Sequence, residues 1–336
     1  MDTETTSRRS LSEPRRHLRP VEYPELLDYS DAIRHSYWLH TEYNLSDDVQ
    51  DFLTRTSTAE KGALKNAMLA IAQVEVAVKT FWGDLYRMYP KPEIGAVGYT
   101  FAESEVRHQD AYAHLLEILG LNSEFARLEE FPALNARVSF LEEHLGAAGT
   151  AGTADAGRGQ ALRLLLFSAF IEHVSLFSQF LVMKAFNRQR NLFRGIANIV
   201  EATSKEEQIH GMFGYHLVGI LKEENPGWFD ADFDQRVRDA CLAARETERD
   251  IVDWIFEAGD LDYLPKETVH AFLDDRFNYV LGQVGVEPLF NPDPALVEES
   301  RWFEEEILAG KHYDFFHKRP TLYSKKTRSI TAADLF

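Results

Sequence analysis

The sequence predicts an all-α fold, one bundle of long helices, and three features carry that reading. Among twelve prolines in 336 residues, none lies between Pro24 and Pro90, only Pro132 lies between Pro92 and Pro226, and none lies between Pro226 and Pro265. Proline ends helices, so these stretches permit helices well beyond the usual length. Glycine is sparse as well, at 19 residues. Runs alternating apolar with polar residues, the mark of a half-buried strand, are scarce throughout.

The elements follow in chain order. Residues 1–20 hold five arginines and no apolar stretch, the composition of a disordered basic arm rather than a signal peptide. Ser57-Thr-Ala-Glu60 is a capping box ahead of Leu64, Met68, Ile71, Val74 and Val78, so a helix starts there and stops at Tyr-Pro-Lys-Pro, 89–92. A second helix runs from about Ile94 to Gly120, and Asn225-Pro226-Gly227 ends another. Gly146 to Gly159 reads as a flexible connection between two helical blocks. One helical domain therefore covers 21–310, followed by a less regular tail over 311–336. The most apolar run, Leu162 to Ile171, contains Arg163 and falls short of the ~20 residues that span a bilayer. The expectation is a soluble chain with no membrane partner.

Composition removes several function classes. Lys and Arg number 36 against 54 Asp and Glu, a formal charge of −18, which argues against a nucleic-acid partner because phosphate neutralisation needs clustered cations. A single cysteine, Cys241, excludes a disulfide scaffold, a Cys-ligated zinc or iron–sulfur site, and dithiol chemistry. It also points to a cytoplasmic location.

The chemistry lies in a spacing. Glu-x-x-His places a carboxylate and an imidazole one helical turn apart, where both reach one metal ion. Chance supplies about one such motif among 32 Glu and 12 His, and three occur: Glu105/His108, Glu207/His210 and Glu267/His270. Geometry selects two of them. A dinuclear site in a ferritin-like bundle takes one Glu from each of two helices and a Glu-x-x-His from each of the other two. Antiparallel helices bring residues level when the turn lies midway; the midpoint of Glu75 and Glu105 is Pro90, and that of Glu172 and Glu207 falls in the polar stretch Asn187 to Asn191. The order Glu, Glu-x-x-His then repeats at offsets of 97 and 102 residues, a pseudo-twofold. Glu75 and Glu172 stand in strongly apolar stretches, where a carboxylate without a partner costs several kcal/mol, so metal ligation or protonation is demanded. Glu267/His270 lacks a matching carboxylate in an apolar helix and reads as an ordinary surface pair.

At these residues the sequence resembles the small, radical-generating subunit of class I ribonucleotide reductase, over about residues 25–336. The resemblance implies a ferritin-like fold and a dinuclear metal centre ligated by Glu75, Glu105, His108, Glu172, Glu207 and His210. It implies that Tyr112 matches the radical tyrosine, that Trp38 lies on the radical-transfer path, and that Glu206 stands where an Asp usually links that tryptophan to the metal-bound His. Three departures narrow the subclass. Glu75 replaces the usual Asp, Lys79 follows one turn later with its ammonium available to the site, and the pocket of Tyr112, placed at Leu176, Phe180 and Thr203, looks less dry than a long-lived tyrosyl radical prefers. Together these resemble the dimanganese subclass Id, in which a manganese pair formed with superoxide is itself the oxidant and the tyrosine stays unmodified. Four carboxylates and two imidazoles suit Mn or Fe, so di-iron and mixed Mn/Fe centres stay open.

The tail, TLYSKKTRSITAADLF, is short, partly basic and ends in Asp-Leu-Phe, a composition that orders on binding. The resemblance makes it the segment that docks on the large catalytic subunit, with Tyr323 as the relay and Tyr313 in reserve, and implies a homodimer. With Trp38 so close to Met1, no N-terminal nucleotide-sensing domain is expected. Reduction of the sugar in this family needs a thiyl radical and a cysteine pair, which Cys241 alone cannot supply, so the chain must export its oxidising equivalent. The alternative enzyme is a ferritin-like dimetal oxidase or oxygenase acting on a bound small molecule or acyl chain, which needs neither Trp38 nor the tail and opens an apolar pocket beside the metals. A metal-storage bundle would share the ligands but has no use for a docking tail.

Overall fold

The computed structural model describes residues 10–125, 127–145 and 154–307. In order, the helices are α1 (Leu27–His35), α2 (Ser46–Thr54), α3 (Thr58–Gly83), α4 (Leu85–Met88), α5 (Pro92–Ile118), α6 (Asn122–Phe125), α7 (Pro132–Leu145), α8 (Ala154–Leu166), a π-helical segment (Phe167–Ser175), α9 (Leu176–Arg190), α10 (Arg194–Glu224), α11 (Ala231–Ile255), α12 (Lys266–Gln283) and α13 (Pro294–Ile307). No strand occurs among the described residues, and the all-α expectation holds.

The first long pair forms as the proline pattern requires. Ser57 Oγ accepts from the Glu60 N–H at 3.2 Å while the Ser57 N–H donates to Glu60 Oε2 at 2.8 Å, the reciprocal cap that starts α3. Pro92 at the first turn of α5 needs no N–H partner. α3 and α5 lie side by side as neighbours joined by the short α4.

The second long pair departs from expectation. Ala154 to Arg190 is helical throughout, so the last part of the glycine-rich connection, residues 154–159, is helix; residues 146–153 lie outside the described residues. α9 continues to Arg190 and the chain turns over residues 191–193, with Asn191 and Phe193 left-handed at φ of 50° and 55°, so the turn begins only at the last residue of the expected stretch 187–191. The arm from Glu172 to that turn is thus several residues longer than the return arm to Glu207. Phe167–Ser175 winds as a π-helix, whose wider turns absorb extra residues. α10 starts against α2: Asp48 accepts from the N–H groups of Gly195 (3.1 Å) and Ile196 (2.7 Å), and Asp51 accepts from that of Phe193 (3.0 Å). Residues 156–190 include a stretch apolar and long enough to cross a membrane, but that stretch is wholly buried as the core helix of the bundle.

The expected disordered arm gives way at residues 10–20. Leu11 is fully buried, its N–H donates to Glu224 Oε2 at 2.8 Å, and Arg15 forms a two-pronged pair with Glu93. An arginine that finds a buried carboxylate partner orders a segment that composition alone reads as solvated.

Candidate metal centre

Four fully buried carboxylates, Glu75, Glu105, Glu172 and Glu207, meet two fully buried imidazoles, His108 and His210, in the middle of the bundle. They form two overlapping groups: Glu75, Glu105, His108 and Glu207, and Glu105, Glu172, Glu207 and His210; in each, the potential ligand atoms lie within 4.8 Å of one another. Glu105 and Glu207 belong to both. Glu105 reaches His108 Nδ1 with one oxygen (3.0 Å) and His210 Nδ1 with the other (2.9 Å), and Glu207 spans the same two nitrogens at 2.8 and 2.9 Å. Two shared carboxylates flanked by one further Glu and one His on each side is the arrangement of a dinuclear site.

The surroundings fix the imidazoles. Ser104 donates its hydroxyl to the Phe101 carbonyl at 2.8 Å, so its oxygen accepts from His210 Nε2–H at 3.0 Å. His108 Nε2 donates to Glu206 Oε2 at 2.8 Å. With the proton on Nε2, both Nδ1 lone pairs face the carboxylates, as metal ligation needs. Both oxygens of Glu75 and Oε2 of Glu172 are buried with no hydrogen-bond partner among the described residues, and Oε1 of Glu105 and of Glu207 each face only an imidazole Nδ1. That many orphaned acceptors in a dry core are tolerable only with cations or protons among them, so the residues fit a metal pair.

Charge in the metal-free site is settled by protons. Burial, and then the Glu105 charge, pushes the Glu75 carboxyl well above its usual range; burial and then Glu207 do the same to Glu172. Burial acts to lower both imidazoles but is outweighed by Glu207 at His108 and by Glu105 at His210, so both are raised. For Glu207, burial works upward and loses to the two imidazoles, which hold it far below the usual range.

The other expected residues are placed less uniformly. Trp38 is buried and stacks on His108, ring centroids 5.9 Å apart at 18°, but its Nε1 has no hydrogen-bond partner among the described residues. The link expected through Glu206 runs instead from His108 to Glu206 and on to Arg107 (3.2 and 3.3 Å), whose guanidinium lies over the Trp38 ring at 5.8 Å. Arg107 was not anticipated; its place beside His108 in the sequence was the available signal. Tyr112 is fully buried, and so are Leu176, Phe180 and Thr203, of which the Thr203 hydroxyl lies beside the phenol. Burial raises the Tyr112 hydroxyl well above its ordinary value, and no carboxylate or imidazole accepts its proton; the Thr203 hydroxyl beside it donates to the Ile199 carbonyl. Lys79 does not reach the carboxylates: its ammonium donates to the Glu75 main-chain carbonyl (3.3 Å) and to Gln109. Glu267 is exposed whereas His270 is buried and bonded to Asp253 at 2.8 Å, so the two do not form the expected surface pair. Tyr313 and Tyr323 lie outside the described residues.

Two further features escaped the sequence. The π-helix carries Glu172, and Trp82 donates its indole N–H to Glu172 Oε1 at 2.8 Å.

This fold and ligand set define a ferritin-like dimetal carboxylate protein. The family model for ribonucleotide reductase, small chain, matches residues 15–307; the chain belongs to that family. It is accordingly the radical-generating small subunit of ribonucleoside-diphosphate reductase, an oxidoreductase that carries a dinuclear metal centre and works with a large subunit. It is 28% identical to a probable ribonucleoside-diphosphate reductase small subunit of Invertebrate iridescent virus 3, over 94% of this chain and 86% of that one, and 23% identical to the ribonucleoside-diphosphate reductase subunit beta of Chlamydia pneumoniae, over 85% and 83%. Among solved structures it is similar to the ribonucleotide reductase R2 subunit of Clostridium botulinum (TM-score 0.74, 16% identity, 87% of this chain and 90% of that one). It is also similar to the dimanganese(II) NrdF of Streptococcus sanguinis (TM-score 0.72, 18% identity, 86% and 99%). At these identities the structures share the fold.

Proposed function

We propose that Glu75, Glu105, His108, Glu172, Glu207 and His210 hold two manganese ions, that the pair itself is the oxidant, and that Tyr112 stays unmodified. The observation that carries this reading is the Tyr112 hydroxyl. Oxidising a phenol at neutral pH requires somewhere for its proton to go, and this one is deeply buried with no carboxylate or imidazole hydrogen-bonded to it among the described residues. When bound, the metal pair supplies a one-electron oxidant. The protein's part is to exclude water, to present Nδ1 of both imidazoles, and to hold the His108 Nε2–H in its hydrogen bond to Glu206. Arg107 balances the Glu206 charge, and the stacked Trp38 lies next to His108 as the group through which an electron arrives from the large subunit.

The test is Tyr112→Phe assembled with Mn(II) and superoxide. Nucleotide reduction retained at a substantial fraction, with a coupled Mn(III)Mn(IV) signal in EPR, is the expected result; loss of activity at full metal loading would sink the reading. The similarity to a dimanganese(II) NrdF supports manganese, and the carboxylate-rich donor set accommodates it. The reading extends to a cytoplasmic homodimer whose residues 311–336 dock on the large subunit with Tyr323 as relay. Removing the last dozen residues is expected to abolish subunit binding and activity while leaving metal content untouched, and unchanged activity would refute the docking role.

A further inference from the structure

Glu75 and Glu172 are counterparts under the pseudo-twofold, but their carboxylates are held differently. Among the described residues neither oxygen of Glu75 has a hydrogen-bond partner, whereas Glu172 has one oxygen on Trp82 Nε1 at 2.8 Å and only Oε2 unpartnered, 3.8 Å from His210 Nδ1. Trp82 is fully buried and lies two turns beyond Glu75 on the same face of α3. Its indole is boxed on several sides: edge-on to Phe101 (90°), Phe167 (88°) and Phe213 (65°), and 5.8 Å from the His210 ring. Its backbone is pressed as closely: a Cβ on Gly98 of α5 would lie 2.6 Å from the Trp82 carbonyl oxygen. A large, rigid donor fixed in this way can present its N–H in one direction only.

We propose that Trp82 is a positioning residue for the metal centre: its indole N–H holds Glu172 by Oε1, so that Oε2 alone is offered to the ion shared with His210, while Glu75 is left free to offer both oxygens to the ion shared with His108. The two metal positions are thereby unequal, although their ligand types are the same. The hydrogen bond also settles Glu172 on the π-helical segment, where the backbone itself constrains the side chain less regularly than a continuous α-helix does. The proposal rests on the ligand set given above.

The experiment compares Mn(II) titrations of the metal-free protein with its Trp82→Phe and Trp82→His variants, followed by EPR. Trp82→Phe keeps an aromatic ring and removes the donor; Trp82→His is smaller still but keeps a ring N–H. Outer-shell partners of metal ligands are typically worth about 10–100-fold in affinity, so Trp82→Phe is expected to weaken the second Mn(II) by at least about tenfold with the first unchanged. Isolated Mn(II) then appears where the wild type shows only the coupled pair. Trp82→His is expected to restore most of the second step. The proposal is overturned if the Phe isotherm superimposes on that of the wild type, if the Phe and His variants weaken equally, or if both steps weaken together, since each of those marks packing rather than orientation. Should the Phe variant fail to fold, as circular dichroism would show, the His variant decides alone: a preserved two-step titration supports the proposal, and loss of the second step in a folded protein refutes it. A wild-type protein that binds fewer than two Mn(II) would instead overturn the ligand set itself.

Discussion

The pair α3 and α5 and the pair formed by the π segment with α10 each bring one lone glutamate and one Glu-x-x-His to the centre, but they do so by different means. In the first pair Glu75 stands on regular helix and the arms are nearly equal about Pro90. In the second, Glu172 stands on a π-helix, and the neighbouring helices nearly touch: a Cβ on Gly211 would lie 2.2 Å from His173 Nε2, and one on Gly214 would lie 1.8 Å from Ser168 Oγ. The same ligand pattern is thus obtained once by symmetric geometry and once by local distortion combined with close backbone approach. A ligand pattern does not by itself require a particular backbone; it requires that the carboxylates arrive level, and the packing around each pair decides how.

The strongest way to break the comparison is to remove a ligand that both halves share. Glu207→Ala deletes a member of both groups, and metal analysis is expected to find well under one ion per chain, whereas Glu75→Ala is expected to leave one position partly filled. Equal losses would mean that the two positions do not bind separately. Next in size is pH. The metal-free site holds protons on Glu75, Glu172, His108 and His210, all shifted upward, and ions must displace them. Raising the pH removes the competitor, so apparent Mn(II) affinity rises with pH, about tenfold per unit for each proton released. Calorimetry in buffers of different ionisation enthalpy counts those protons, and a flat pH profile would contradict the protonated site. The smallest effects separate the halves by packing. Gly211→Ala forces a methyl onto His173 and is expected to cost about 1–3 kcal/mol. Gly83→Ala at the end of α3 meets only the Ala102 methyl at 4.0 Å and is expected to stabilise by about 0.5–1 kcal/mol through the unfolded chain. Thermal melts of the two variants read both signs.

Much of the first half was legible in the amino-acid sequence because its rules are local. A capping box, a proline turn and a heptad-like apolar stripe define α3 and α5, and the ligand register follows from counting residues about the turn. The second half was legible only in its ligands. The segment FSAFIEHVS is buried along its whole length and carries no signal in its residue order that separates π from α winding; the close approach there is of His173 and Ser168 to Gly211 and Gly214, a tertiary fact. The left-handed residues Asn191 and Phe193 shifted the turn, and only the first is a residue type that favours that conformation. Trp82 and Arg107 were likewise invisible as partners. Nothing in sequence spacing says that an indole on α3 will reach a carboxylate 90 residues away.

The segment before α1 has a consequence for the whole centre. Arg15 grips Glu93 at the start of α5, while the Leu11 N–H and the Tyr23 hydroxyl (2.8 and 2.5 Å) grip Glu224 at the end of α10. These are the two helices that carry the Glu-x-x-His motifs, fastened at the same end of the bundle like pages at a spine. Trimming the chain at residue 20, as its basic composition invites, would remove two of those three stitches and leave that end of the two helices tied only through Glu22 and Tyr23, whose N–H groups reach Glu93 and whose tyrosine hydroxyl reaches Glu224.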